Sequence, residues 1–310
     1  MIEYIEVVNE AGEHLQLPLS NPWETGIAVM NLQGVGTAKA NINMTGYADS
    51  DLKKKNSVTL DTRNILITLQ YIGTDTESVE QVRDKSYVFF APKKTIHLII
   101  KTDQRFVGID GIVESNEPDI FSENEQASIS ILCEDPLFYD ENEKGTVRDE
   151  YDLNATIPEF SFPFSNESLT EDLIVLGEIT HRPVNVINYP GEYNIGLTIK
   201  LHCTGTLINP KLTSMRQKGV FKLNTDLLAD IIPESKTFNA GDSITINTVN
   251  GNKSILLLRE GVVYNILHLL DSQSTWPMLM TGKNEFVLDA ESGFEFAEIS
   301  YMYTTGYLGI

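Results

Sequence analysis

The chain has 310 residues of ordinary globular composition, 41% hydrophobic and 22% charged, yet its formal net charge is -21. Acid is spread over both halves, with 26 acids against 13 bases in residues 1–150 and 18 against 10 in residues 151–310. Such a surface repels phosphate backbones and argues against a nucleic-acid role. No apolar run approaches the ~18 residues needed to cross a bilayer.

At this length two domains are expected, each large enough for its own core. The opening run IEYIEVV puts Ile2, Tyr4 and Glu6 on one side and reads as a strand. It is acidic and alternating, unlike a secretory signal with its basic start and apolar centre. If the protein leaves the cell, it is therefore expected to leave by lysis or inside an assembly. Gly34-Val35-Gly36 lacks the third glycine of a dinucleotide turn and the Lys-Ser pair of a phosphate loop, so it predicts a turn or bulge beside a hairpin. RNILITLQY alternates Ile65, Ile67, Leu69 and Tyr71 against polar residues, the pattern of a half-buried strand.

The period then changes. Val79, Val82 and Ser86 fall at three-to-four spacing and predict one helix over 76–90, capped by Asp75 or Thr76 and stopped by Pro92. KKTIHLIIKT, RFVGIDGIVES and ASISILCEDP follow as strands. From Pro136 the composition becomes acidic and rich in turns, predicting a linker over 141–160 between domains at 1–140 and 161–310.

Beyond it short strands recur to the end. EYNIGLTIKLHCTGT places Ile195, Leu197, Ile199, Leu201 and Cys203 on one face. NTDLLADIIPES is briefly helical, and GDSITINTVNGNKSILLL predicts two strands joined by a type I′ turn at Asn250-Gly251. No internal repeat is visible.

Little here points to chemistry. Cys133 and Cys203 sit at core-facing positions of predicted strands and read as free thiols. None of the five histidines has a partner at helix-face metal spacing, and His202 and Cys203, as strand neighbours, point to opposite faces. The acidic run from Asp140 to Asp152 lacks the spacing and central glycine of a calcium loop. No serine lies in a Gly-x-Ser-x-Gly elbow. No catalytic residue, metal or cofactor is expected, and the chain reads as a non-enzyme. Trp276, Tyr301 and Tyr303 are the candidates for stacking on a glycan.

Several motifs occur in a recognisable order. The first half has FVGIDGIVESNEPDIFSENEQASISILCEDPLFYD, with Cys-x-Asp-Pro ahead of an aromatic. The second has PVNVINYPGEYNIGLTIKLHCTG, NAGDSITINTVNGNKSI, LHLLDSQSTWPMLMTGKNEF and ISYMYTTGYLGI. Over about residues 60–140 and 180–310 this resembles the distal tail protein family of phages and phage tail-like particles of Gram-positive bacteria. Where relatives have a Ser-Asp-Trp-like stretch, this chain has Ser274-Thr275-Trp276.

The resemblance implies a mainly β fold. A split-barrel-like or sandwich-like N-terminal ring domain with one α-helix precedes a galectin-like or carbohydrate-module-like β-sandwich. It further implies a structural baseplate protein of the virion or tail-like particle. Such a protein forms a homo-hexameric ring joining the tail tube protein to the hub or tip, the host-recognition proteins and the tape-measure protein. The alternative is a carbohydrate-binding module that contacts the bacterial surface.

Overall fold

The computed structural model describes residues 1–47, 51–141, 151–152, 155–157, 178–180 and 184–310. Most of the expected acidic linker lies outside these residues. The chain is mainly β and divides into two units, residues 1–147 with 306–310, and residues 148–305.

The first unit contains β1 (Ile2–Asn9), β2 (His14–Pro18), β3 (Ile27–Gln33), β4 (Ala40–Gly46), β5 (Lys53–Leu60) and β6 (Arg63–Tyr71). Helix α1 (Val79–Phe89), β7 (Thr95–Thr102), β8 (Phe106–Asp119), β9 (Gln126–Cys133) and β10 (Phe138–Asp140) follow. Its main sheet runs β2-β1-β7-β8-β9-β6-β3, antiparallel throughout. Alternation dictates which face is buried. Ile65, Ile67 and Leu69 of β6 join Ile129 and Ile131 of β9 and Leu98 and Ile100 of β7 in one core, all fully inaccessible. In β1 the buried side is Ile5 and Val7, opposite to Tyr4 and Glu6.

The predicted helix is present, but its cap is Ser78 rather than Asp75 or Thr76. Ser78 Oγ accepts from the Gln81 N–H, and the Gln81 side chain accepts from the Ser78 N–H. This reciprocal pair satisfies two donors at the helix start, which neither earlier residue is placed to do. Tyr71 Oη and Ser86 Oγ, 2.7 Å apart, tie the helix to the sheet.

The second unit contains β11 (Tyr151–Asp152), β12 (Ala155–Ile157), β13 (Glu178–Thr180), β14 (Val184–Tyr189), β15 (Thr198–Cys203) and β16 (Lys211–Ser214). It continues with β17 (Gly219–Lys222), β18 (Ser243–Asn247), β19 (Ser254–Arg259), β20 (Val262–Asn265), β21 (Gly282–Asp289) and β22 (Ala297–Met302). Sheets β11-β22-β15-β18-β19-β20 and β14-β21-β16-β17 face each other as a sandwich, with β12 and β13 pairing separately. Tyr301 of one sheet stacks on Phe286 of the other at 5.3 Å, and Asn185 Nδ2 donates to its hydroxyl at 3.1 Å. The helical expectation in NTDLLADIIPES is met by a 3-10 turn, Thr225–Asp230. The hairpin expected at Asn250-Gly251 is not a two-residue type I′ turn. Asn247 pairs with Ser254, leaving six residues between, and of Asn250 and Gly251 only the glycine has positive φ. The Thr248 side chain bonds back to Leu197, which draws the strand end away from a tight turn.

The last five residues leave the sandwich expected to hold them. β23 (Gly306–Tyr307) pairs with β10, which pairs with β8, so the sequence ends inside the first unit. Tyr307 and Ile310 pack against that unit's core.

Candidate assembly interface

Hairpin β4–β5 stands out because its strand residues are exposed, Ala40–Gly46 throughout and Lys53–Leu60 except for the half-buried Leu60. The register gives it two unlike faces. Ile42 opposes Val58, and after a bulge at Asn56 Met44 opposes Lys55 and Gly46 opposes Lys53. Opposed residues share a face. One face therefore carries Ile42, Val58 and Met44, each about half exposed, and ends in Lys53 and Lys55. The other carries Asn41, Asn43, Ser57, Thr45 and Lys54. An isolated two-stranded hairpin is at best marginally stable in water. An apolar strip along one face gives it a means of being covered.

The hairpin root is held firmly. Arg63, 4% exposed, opens β6 directly after the hairpin. Its guanidinium donates to the carbonyls of Pro136, Gly34, Gly36 and Leu308 at 2.5–2.8 Å and lies 4.6 Å from the Phe138 ring centre. The guanidinium fork can serve several carbonyls at once, which a lysine ammonium cannot match in the plane. Burial nevertheless pulls its pKa down. Gly34 has φ +82°, and a Cβ there would stand 2.0 Å from the Asn64 carbonyl oxygen. That glycine therefore serves a turn with close backbone approach, as expected for Gly34-Val35-Gly36. The Ile310 N–H donates to the Val35 carbonyl, so the last residue closes the same root.

Elsewhere in the first unit His97 sits between two carboxylates. Its Nδ1 is 2.6 Å from Asp110 and its Nε2 is 3.3 Å from Glu141. The bond to Asp110 raises the His97 pKa and lowers that of Asp110, whereas burial pushes Glu141 up. A Cβ at Gly108 would meet both the imidazole and Glu141, so the glycine makes room for the array. In the second unit Arg259 forks onto Asp242, which is 2% exposed, and donates to Ser235 and Thr237, pinning a loop to β19.

The aromatic glycan candidates divide. Tyr301 and Tyr303 are buried, Tyr301 against Phe286 and Tyr303 edge-on to Tyr189, so neither can stack on a sugar. Tyr301 falls on the buried parity of β22 with Ala297 and Ile299, and Tyr303, just past the strand end, stays on the same side. Trp276 is half-buried against Phe221, with Lys253 Nζ 5.5 Å from its ring centre. Cys133 and Cys203 are inaccessible free thiols whose pKa values burial raises to about 11 and about 12. Among the described residues no group of three or more His, Cys, Asp or Glu could hold a metal ion, and no helix is long and apolar enough to cross a membrane.

Sequence reasoning missed Arg63 and the hairpin face. The signal for the hairpin lies in Ile42, Met44 and Val58 at alternate positions beside Lys53-Lys54-Lys55, the longest basic run in an acidic chain.

No family model matches the chain, and no curated protein matches it. Two structures of a phage P2 baseplate in its activated conformation, with calcium and with strontium, align at TM-score 0.43 with 13% and 12% identity. They cover 97% of this chain and 98% and 97% of theirs, at a similarity too low to support an argument. The crystal structure of the phage SPP1 Dit protein, described as a paradigm of hub adsorption apparatus in phages that infect Gram-positive bacteria, aligns at TM-score 0.62. At 11% identity over 97% of this chain and 98% of that one, it shows that the two proteins share a fold.

Proposed function

We propose that the chain is a structural component of a phage tail baseplate or of a related tail-like particle, and that copies of its first unit associate into a ring. The observation that carries this reading is the β4–β5 hairpin, whose apolar face has no cover among the described residues. A protein that keeps such a face in water at a net charge of -21 is built to have it covered in an assembly. The shared fold with a Dit protein supports the same reading. The ring joins a tail tube to a hub or tip, and six copies is the number implied by the sequence resemblance.

Light scattering and negative-stain imaging of the purified chain, alone and with tail tube protein, test the proposal. A closed ring of six that caps tube ends is the expected result. A monomer at every concentration that never binds a tube end would refute it.

A further inference from the structure

The β8–β9 turn of the main sheet, to which β4–β5 does not belong, has the complementary surface. Residues 114–125, spanning the β8–β9 turn, contain five acids and no base. At its tip Phe121 is 96% exposed, beside Ile120 at 52%. Asp119 Oδ1 accepts from the Phe121 N–H, which fixes the backbone and leaves the ring in water. Glu117, Asp119 and Glu123 form no ion pair among the described residues, and neither do Lys53 and Lys55 on the hairpin face. An apolar knob rimmed by acid thus faces solvent in the same molecule as an apolar strip ending in lysines.

Among the described residues neither surface covers the other. Strand β6 starts at the hairpin root with Arg63 and ends at Tyr71, whose N–H donates to the Glu125 carbonyl beside the acidic turn. Its nine residues separate the two features by roughly 26 Å at ~3.3 Å per residue. Both surfaces are exposed among the described residues. We propose that the acidic, Phe121-tipped turn of one copy covers the apolar and lysine-ended face of β4–β5 on a second copy. Two different patches meeting head to tail make a heterologous contact, which closes into a ring when its rotation closes. Opposite charge sets the register and Phe121 provides the anchor in Ile42, Met44 and Val58.

This rests on the assembly reading above, and the test separates the two. Mass photometry and light scattering would be run on the full chain, on Lys53→Glu/Lys55→Glu, on Asp119→Lys/Glu123→Lys, on both pairs combined, and on Phe121→Ser. Each single-sided reversal is expected to raise the midpoint concentration of assembly by roughly a hundredfold or more, because like charges then meet. The combined reversal should return it to within about tenfold of the wild type by restoring opposite charge. Phe121→Ser should weaken assembly without changing its salt dependence. All the substituted residues are exposed, so circular dichroism should be unchanged, and the loss of the Asp119–Phe121 turn bond in the Asp119→Lys variants should lower the melting temperature only slightly. A ring indifferent to both reversals, or no rescue in the combined variant, would overturn this contact and leave the ring reading intact. A wild-type chain that stays monomeric would overturn both.

Discussion

Deleting Gly306–Ile310 should loosen the first unit and spare the second, although these residues follow directly on the second unit's last strand. The deletion removes the Leu308 acceptor of Arg63 and the Gly309 acceptor of Arg105, as well as the Arg105–Tyr307 stack at 4.6 Å. Hydrogen bonds to a charged group contribute about 1.5–3 kcal/mol each, so these two give about 3–6 kcal/mol. The Ile310–Val35 bond, the β10–β23 pairing and the half-buried Tyr307 and Ile310 add several kcal/mol more. Ordering five residues costs a similar amount at about 1 kcal/mol each, and these two contributions cancel to first order. The net loss is therefore about 3–6 kcal/mol, a large share of a typical domain's stability.

Amide hydrogen exchange read by mass spectrometry gives the assay. Peptides from β3 and β10 should exchange about a hundredfold to ten-thousandfold faster, at 1.4 kcal/mol per tenfold. Peptides from β15 and β19 in the same sample serve as the internal control. Arg63→Met should produce a comparable loss. The two changes together should cost less than their sum, because they share the Arg63–Leu308 bond. Exchange in β3 and β10 that stays within about threefold of the full chain would refute the reasoning.

The His97 array makes stability depend on pH, with a definite sign. Its folded pKa is raised, so its contribution is fully present below the unfolded value of about 6.5 and is lost as pH rises through the folded value. The difference in melting temperature between wild type and His97→Gln should therefore be largest near pH ~5.5 and shrink above pH ~8. Gly34→Ala should cost at least about 2 kcal/mol, because its Cβ meets the Asn64 oxygen in addition to the left-handed backbone penalty. Gly12→Ala, at φ +76° with nothing within 4 Å, should show only the backbone part in the same denaturant titration. Iodoacetamide at pH ~8 should label native Cys133 and Cys203 at least about a hundredfold more slowly than an unhindered thiol, as judged by intact mass.

The parts of this fold legible in the sequence are those set by alternation over a buried face. RNILITLQY, ASISILC and the run through Cys203 occur as strands with the expected side inward, and TIHLIIKT occurs as the expected strand, because a two-residue period leaves one choice of face once a core is present. What escaped reading depends on atoms far apart in the chain. Arg63 reads as a polar strand opener, yet it becomes a buried hub because residues 34, 36, 136 and 308 converge on it. No local pattern encodes a convergence across 245 positions. The return of Gly306–Ile310 to the first unit is hidden for the same reason, since YTTGYLGI reads equally well as the end of a sandwich. The glycan candidates show the converse. Tyr301 lies on the buried side of β22 and Tyr303 just past its end, both buried, so the aromatic pattern that suggested stacking belongs to the core.

The surfaces argued to assemble could be read only from what the fold left uncovered. In β4–β5 the alternation Ile42, Met44 against Asn41, Asn43, Thr45 is the same signal that elsewhere marks a buried strand. Here the described residues provide nothing to bury it against. That mismatch between a core-like pattern and an exposed position is what the proposed second copy resolves. The acidic Phe121 turn of that copy has the chemistry to cover such a face.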